Sequence, residues 1–295
     1  MTPFGTFFLP GPTEVRPDVL AAMSRPMMGH RSKAFEAIYA DVAAGARVVF
    51  GTQHPVLIAT ASATALMEAG IRALPPGPVL SLVNGAFSER FARIAQACGR
   101  DVTILRVHDG TVVTAELLDH ALAQQSFAGA TVVHSETSTG ALSDLRALRH
   151  AASRHGVPLI VDSVTGVAGA PLEADAWELP YVLTGSQKAL ALPPGLAFAA
   201  VQPEFLARAA QAPARGLYLD VVEMASFAAK QQTPNTPAVS LFYAAQVQLA
   251  AIVREGMPAR IARHAAMAEL TWRWVDAASD RLGVALAIAA PAGSR

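Results

Sequence analysis

Lysine is nearly missing from this chain. Of its 23 basic residues only Lys33, Lys188 and Lys230 are lysines, and the remainder are arginines. Arginine keeps its proton under ordinary conditions, whereas a desolvated lysine can lose it and act as an amine nucleophile. Positive charge is thus supplied by arginine, and each lysine asks for a reason. Other shortages exclude whole classes. The single cysteine, Cys98, rules out an internal disulfide and suits a reducing cytoplasm. Formal net charge is zero and like charges never gather into a block, which argues against nucleic acid or an anionic membrane as a partner. The longest apolar run, 189–201, is interrupted by Pro193 and Pro194 and is too short to span a bilayer. The opening "MTPFGTFFLPGPTEV" lacks a basic stretch ahead of an apolar core, so no signal peptide is expected. No G-x-G-x-x-G follows the first strand, which leaves a nicotinamide dehydrogenase poorly supported. A cytoplasmic globular protein with one large domain, or a large and a small one, is the expectation.

What is present alternates. The apolar runs at 55–60, 78–83, 101–107, 130–135, 157–163, 181–186 and 196–202 read as strands. Helical segments near 63–73, 86–98, 114–124 and 142–155 fall between the earlier ones. Continuous apolar strands separated by helices indicate a mainly parallel sheet sandwiched by helices, an α/β fold. The short "LPPG" connection between the last two strands makes one antiparallel member the expectation. Beyond about residue 240 the pattern turns to two long helices, and "VALAIAAPAGSR" offers one closing strand. A lone strand needs partners. The expected division is an N-terminal arm over 1–15, a large domain over 16–255, and the start of a small α+β domain over 256–295.

Ligands of open α/β sheets sit at the carboxyl ends of the strands. After 55–60 comes "ASATALMEAG", whose helix N-terminus suits a phosphate, although a plain helix cap explains Ser62 or Thr64 as well. After 78–83 comes "NGAFSERF", with Phe87 just past a strand end, where core packing is its default role. After 130–135 comes the hydroxyl-rich "ETSTG". After "VPLIV" comes Asp162, and after "YVLTGS" come Gln187 and Lys188. A carboxylate ending an apolar strand is costly unless it meets a cation. A salt bridge to Lys188, or a solvated Asp162 capping a turn, are the plain readings. The functional reading gives Asp162 a protonated pyridine nitrogen and Lys188 a Schiff base, the arrangement that pyridoxal 5'-phosphate requires.

The stretches "FLPGPTEV", "MGHRS", "SATALMEA", "NGAFSERF", "HSETSTG", "VDSVTGVAG", "TGSQKALALPPGLAF" and "TPNTPAVSLFY" together resemble the class V aminotransferases of pyridoxal-phosphate fold type I. They are most similar to the alanine–glyoxylate and serine–pyruvate (serine–glyoxylate) aminotransferases. The resemblance implies that Lys188 is the Schiff-base lysine and proton shuttle and that Asp162 pairs with the pyridine nitrogen. Phe87 would stack on one face of the ring and Val164 pack on the other. Ser62, Ala63 and Thr64 would cup the phosphate with Gln187 near, and Thr137 would bond the ring hydroxyl region. Thr236 would reach the phosphate of a neighbouring subunit, implying a homodimer with shared active sites. Gly11, His30 and Arg31 would lie near the substrate.

The chain departs from the family in having Ala61 and Ala63 at phosphate-loop positions often held by glycine, and Thr233 where some relatives carry a tyrosine. Relatives continue past the position of Arg295 and carry there an arginine that clamps the substrate carboxylate. The small domain is therefore expected to be incomplete, with Arg31 as one substitute for that arginine. The implied reaction is transamination between alanine or serine and glyoxylate or pyruvate, with small amino acids and 2-oxo acids as partners. Donors such as aminoethylphosphonate or ureidoglycine, or a truncated protein that binds the cofactor without turnover, are the alternatives. A cysteine desulfurase is disfavoured because Cys98 sits in a helical stretch. No metal is expected.

Overall fold

Six of the seven strands of the main sheet are buried on both faces, the edge strand over 102–106 being the exception, and that decides the architecture. The computed structural model describes residues 7, 9–213, 215–286 and 288. Seven strands form one sheet: β1 (Val56–Ala59), β2 (Val79–Val83), β3 (Val102–Arg106), β4 (Gly129–Val133), β7 (Leu159–Asp162), β8 (Tyr181–Gly185) and β9 (Ala197–Val201). Their spatial order is β1-β9-β8-β7-β4-β2-β3. Neighbours from β8 through β3 pair in parallel, and β9 runs antiparallel to both β8 and β1. The expected antiparallel member is therefore β9. Between β4 and β7 lies a two-stranded hairpin, β5 (Ser135–Glu136) with β6 (Ala141–Leu142). Sequence periodicity started a helix at 142; the hairpin claims Ala141 and Leu142, and the helix begins at Leu145 behind the capping Asp144.

Alternate residues of each strand feed two cores. Val56 and Ile58 join one apolar cluster while Leu57 and Ala59 join the other, and Val161 and Ile160 divide in the same way. One cluster is roofed by α2 (Lys33–Phe50), α5 (Ala115–Gln124), α6 (Leu145–Arg154) and α9 (Val239–Glu255). The other is covered by α3 (Ala63–Arg72), α4 (Ala86–Ala97), α7 (Pro203–Ala209) and α8 (Val221–Ala228). Close approach of α3 to the sheet rests on Gly70, where an added Cβ lies 2.8 Å from Ile160 Cγ2. The short α1 (Pro17–Ala22) packs on α9, and α10 (Met257–Leu282) follows α9 directly and touches it. Arg260 ties α10 to the sheet domain through Ala168 and Ala189 carbonyls. No helix among the described residues is long and apolar enough to cross a membrane. Most of the closing strand expected near 284–295 lies outside the described residues.

Because β1, β2, β4, β7 and β8 point the same way, their carboxyl ends share one edge. Register places Asp162 of β7 opposite Val133 of β4 and Leu183 of β8.

Candidate active site

Asp162 ends a fully buried strand and is itself 4% exposed. Burial pushes its carboxyl up to about 6; the charge of Glu136 adds to this, while the Val164 N–H, Lys188 and Arg90 oppose it. Among the described residues its carboxylate accepts one hydrogen bond, from Val164 N–H to Oδ1 at 2.9 Å. The second carboxylate oxygen accepts from no protein donor among the described residues. An acid this dry, with an oxygen to spare, fits a cationic N–H from a bound ring.

Lys188 follows β8 by three residues and is half-buried. Desolvation lowers its proton affinity, and the attraction of Asp162 works against that. Nζ donates to the Pro10 carbonyl at 3.2 Å. The N-terminal segment thus straps across this lysine. Thr13 N–H donates to Gln187 O at 3.0 Å and Thr13 Oγ1 to Lys188 O at 3.1 Å. Gly11 has φ +143°, and a Cβ there stands 2.5 Å from Lys188 Cδ. Only glycine permits that approach.

Ala63 begins α3, with Ser62 as its cap residue. The Ser62 side chain makes no capping bond; it and Thr64 are exposed while Ala63 is buried. Free N–H groups and an unused hydroxyl at a helix N-terminus suit a phosphate. Gln187 belongs to the same neighbourhood. A Cβ at Gly185 meets Gln187 Oε1 at 2.6 Å and Ala63 Cβ at 3.4 Å.

Phe87 occupies the first turn of α4, half-buried, with the Arg90 guanidinium 5.5 Å from its ring centre. What fixes it is Glu136, which the sequence reading left without a role. Glu136 is fully buried. It accepts from Phe87 N–H at 3.3 Å, Ser88 N–H at 2.9 Å, Ser88 Oγ at 3.0 Å, and Ser138 N–H and Oγ at 3.2 and 2.6 Å. This is a carboxylate sealing a helix N-terminus from another chain segment. Gly85 makes room for it, since a Cβ there lies 2.5 Å from Glu136 Cγ. Glu136→Gln turns an amide donor toward these donors. It is expected to destabilise the cofactor-free protein by about 1–3 kcal/mol in denaturant titration, and an unchanged midpoint contradicts the assignment.

His134 was also unassigned. It is 2% exposed, and burial lowers its imidazole to about 4, so it stays neutral. Its Nδ1 lies 2.9 Å from Ser163 Oγ, and Thr184 Oγ1 donates to the Ser163 and Val164 carbonyls at 3.2 Å each. Together these fix the turn that presents Asp162 and Val164. Thr137 Oγ1 donates to Thr165 Oγ1 at 3.3 Å, and Thr165 in turn donates to Ser135 O at 2.8 Å.

Other predicted residues lie elsewhere. Arg31 donates to the Thr233 and Pro234 carbonyls at 2.6 and 2.9 Å and to Gln232 Oε1 at 3.3 Å, so its guanidinium is bound to the 232–234 loop. His30 is half-buried beside it. Thr236 is exposed and lines a shallow recess with Thr60 and Tyr218. The described residues contain no group of three or more His, Cys, Asp or Glu that could hold a metal ion.

Comparison with known proteins gives the family of the chain. The family model for class V aminotransferases matches residues 11–280. A soluble hydrogenase small subunit from Synechococcus sp. is 36% identical over 290 residues, 96% of this chain and 76% of that one. An L-aspartate–glyoxylate aminotransferase from Paracoccus denitrificans is 32% identical over 299 residues, covering 99% of this chain and 74% of the relative. The crystal structure of an alanine–glyoxylate aminotransferase from Nostoc sp. superposes with a TM-score of 0.86 at 31% identity, covering 91% and 73% of the two chains. A sheet whose strand ends gather a dry carboxylate, a desolvated lysine and a helix N-terminus is thus accounted for: the chain belongs to the class V aminotransferases, pyridoxal-phosphate enzymes of fold type I.

Proposed function

We propose that the protein transfers the α-amino group of a small amino acid, alanine or serine, to a 2-oxo acid, glyoxylate or pyruvate. The observation that carries this reading is that buried Asp162 ends one strand, Lys188 follows the adjacent one, and the two feel each other's charge. Glyoxylate is an acceptor named for two of the similar proteins above. The single cysteine and the missing metal-ligand group among the described residues lend no support to the hydrogenase name of the Synechococcus relative.

Pyridoxal 5'-phosphate, when bound, supplies a carbonyl that accepts the amino group and a ring that stores the electrons released at Cα. Asp162 holds a positive charge on the ring nitrogen and so keeps the ring an electron sink. Lys188, with its lowered proton affinity, spends more time as a free amine than a solvated lysine does. It would take the proton from Cα of the amino acid and hand it on to the bound group, acting as base and then acid. Phe87, set by Glu136, and Val164, set by the His134–Ser163 turn, hold the ring plane. Ser62, Ala63 and Thr64 bind the phosphate through the N-terminus of α3, with Gln187 beside them. Thr137 bonds the ring hydroxyl region. Gly11 lets the Pro10–Thr13 strap cover Lys188 and limit water.

A homodimer fits the exposure of Thr236, which would serve the partner's phosphate. His30 and Arg31 border that loop and contribute to the substrate side through it. The division into an arm over 1–15, a large domain over 16–255 and a smaller unit from 256 is our reading, and the single cysteine favours a cytoplasmic setting. Adding L-alanine or L-serine to the cofactor-loaded protein is expected to bleach its visible band within one turnover. Glyoxylate should then restore the band. A band indifferent to both amino acids, with turnover of aminoethylphosphonate or ureidoglycine instead, contradicts the proposed donor. No response to any amine points to a protein that binds the cofactor without turnover.

A further inference from the structure

Lys188 heads a turn whose first three carbonyls are each claimed by a different part of the chain. Lys188 O accepts from Thr13 Oγ1 of the N-terminal strap, Ala189 O from Arg260 Nη2 of α10, and Leu190 O from Gln248 Nε2 of α9. The turn needs such holding. Its Ala191 has φ +52°, in the left-handed region that a Cβ disfavours. The turn that follows Asp162 has the same character, since Ala168 is fully buried and has φ +65°. Backbone in this region persists where its surroundings over-determine it, and it gathers at functional sites.

The two turns meet: a Cβ added to Gly169 lies 3.1 Å from Ala189 Cβ. One side chain binds both. Arg260 Nε donates to Ala168 O at 3.0 Å, Nη2 donates to Ala189 O, and Nη1 donates to Glu255 Oε2 at 2.8 Å. Each of the three guanidinium nitrogens thus has its own acceptor, and the residue is 6% exposed. Thr13 and Gln248 hold the lysine turn but donate to no carbonyl of the other turn among the described residues. Glu255 also accepts from Arg263 Nε and Nη2, at 2.9 and 2.7 Å, so it keeps a partner when Arg260 is changed.

Strands β7 and β8 fix their own ends, but Lys188 lies three residues past β8 and Val164 two past β7. The turns set the remaining distance. Lys188 must reach a substrate Cα beside a ring anchored on Asp162, and a misplacement of about 1 Å can cost about 10²-fold in rate. We propose that Arg260 is a positioning residue that clamps the turn after Asp162 to the turn after Lys188 and so sets the reach of the lysine amine. The consequence for turnover rests on the function proposed above; the clamp itself does not.

The test is hydrogen exchange of the cofactor-free protein, followed by kinetics of the loaded one. Val167 and Ala170 amides report on one turn, Ala191 and Leu192 amides on the other. In the unaltered protein the two sets should respond alike to low guanidinium concentrations, as parts of one opening unit. Independent responses overturn the clamp. Arg260→Lys keeps a cation beside Glu255, but one nitrogen cannot serve three separated acceptors. It should speed exchange in both sets by about tenfold while α2 exchanges as before. No change, a change confined to one turn, or one that spreads through α2 contradicts the proposal. Arg263→Met removes the other partner of Glu255 and neither turn carbonyl, so both turns should exchange as in the parent. Equal loosening there would assign the effect to Glu255 and sink the clamp. In the loaded protein, kcat of Arg260→Lys per bound cofactor should fall by about tenfold or more, with KM for L-alanine within about twofold. A purely structural role would instead lower the amount of cofactor bound and leave kcat per bound cofactor intact. Failure of the unaltered protein to turn over L-alanine counts against the proposed function, and the exchange rates still decide the clamp.

Discussion

Lys188→Ala is expected to lower transamination by about 10⁴-fold or more, because it removes both the amine that anchors the cofactor and the group that moves the proton. The fold should survive. Lys188 is half-buried, its Nζ meets one backbone carbonyl, and its backbone contacts with Thr13 are independent of the side chain. The variant should still take up pyridoxal 5'-phosphate through the N-terminus of α3 and Asp162, but without the covalent visible band. Adding methylamine should recover part of the rate, since a small amine can stand in as base where the side chain has been cut away. Turnover within tenfold of the parent protein would remove Lys188 from the mechanism.

The second large effect concerns Asp162 and runs in opposite directions for stability and activity. Its carboxyl is raised by burial from an ordinary 3.8 to about 6. A raised acid binds its proton more tightly in the folded state than in the unfolded one. Folding is therefore penalised as pH climbs through that interval, and the full penalty stands above it. The displacement corresponds to about 3 kcal/mol at neutral pH and above. Asp162→Asn removes the ionisation, so the cofactor-free variant should be more stable than the parent by up to about that amount at pH 8. The gain should shrink as pH falls from 6 and vanish only about a unit below 3.8, where the parent's aspartate is protonated in both states. The same change leaves nothing to hold charge on the pyridine nitrogen, and the rate should fall by about 10²-fold or more. Equal stability of the two proteins at pH 8 would mean that Asp162 is not the desolvated acid its surroundings make it. The carboxylate is thus costly in the empty protein and useful in the loaded one, as expected of a group kept for chemistry.

Much of this site could be read from sequence because it lies where the chain leaves its strands. Continuous apolar runs such as "VPLIV" and "YVLTGS" mark strands buried on both sides, and whatever polar group follows such a run is delivered to one edge of the sheet. Asp162 and Lys188 stand out on that ground alone, since ionisable groups are expensive beside so much apolar chain. Glu136 did not, although it lies within a quoted motif. A carboxylate in a hydroxyl-rich turn looks solvated in sequence, and its burial depends on α4 arriving from a different strand to offer two N–H groups. His134 was hidden for a similar reason, as its neutrality follows from packing against Gly166 and Ser163. Elsewhere the helices α1, α2, α7 and α8 went unread, as did some short-range order. The β5–β6 hairpin took Leu142 from the expected start of α6 because two-residue strands carry no periodicity to detect. Arg31 shows the opposite limit, where a candidate chosen for its charge is engaged by three loop acceptors that sequence spacing could not reveal.

The most direct test is to reduce the cofactor-loaded protein with borohydride and map the modified peptide. With three lysines in the chain, the outcome is unambiguous. Label on Lys188, lost in Lys188→Ala and present at about one cofactor per chain, is the predicted result. Label on Lys33 or Lys230, or a protein that takes up no cofactor, contradicts the account.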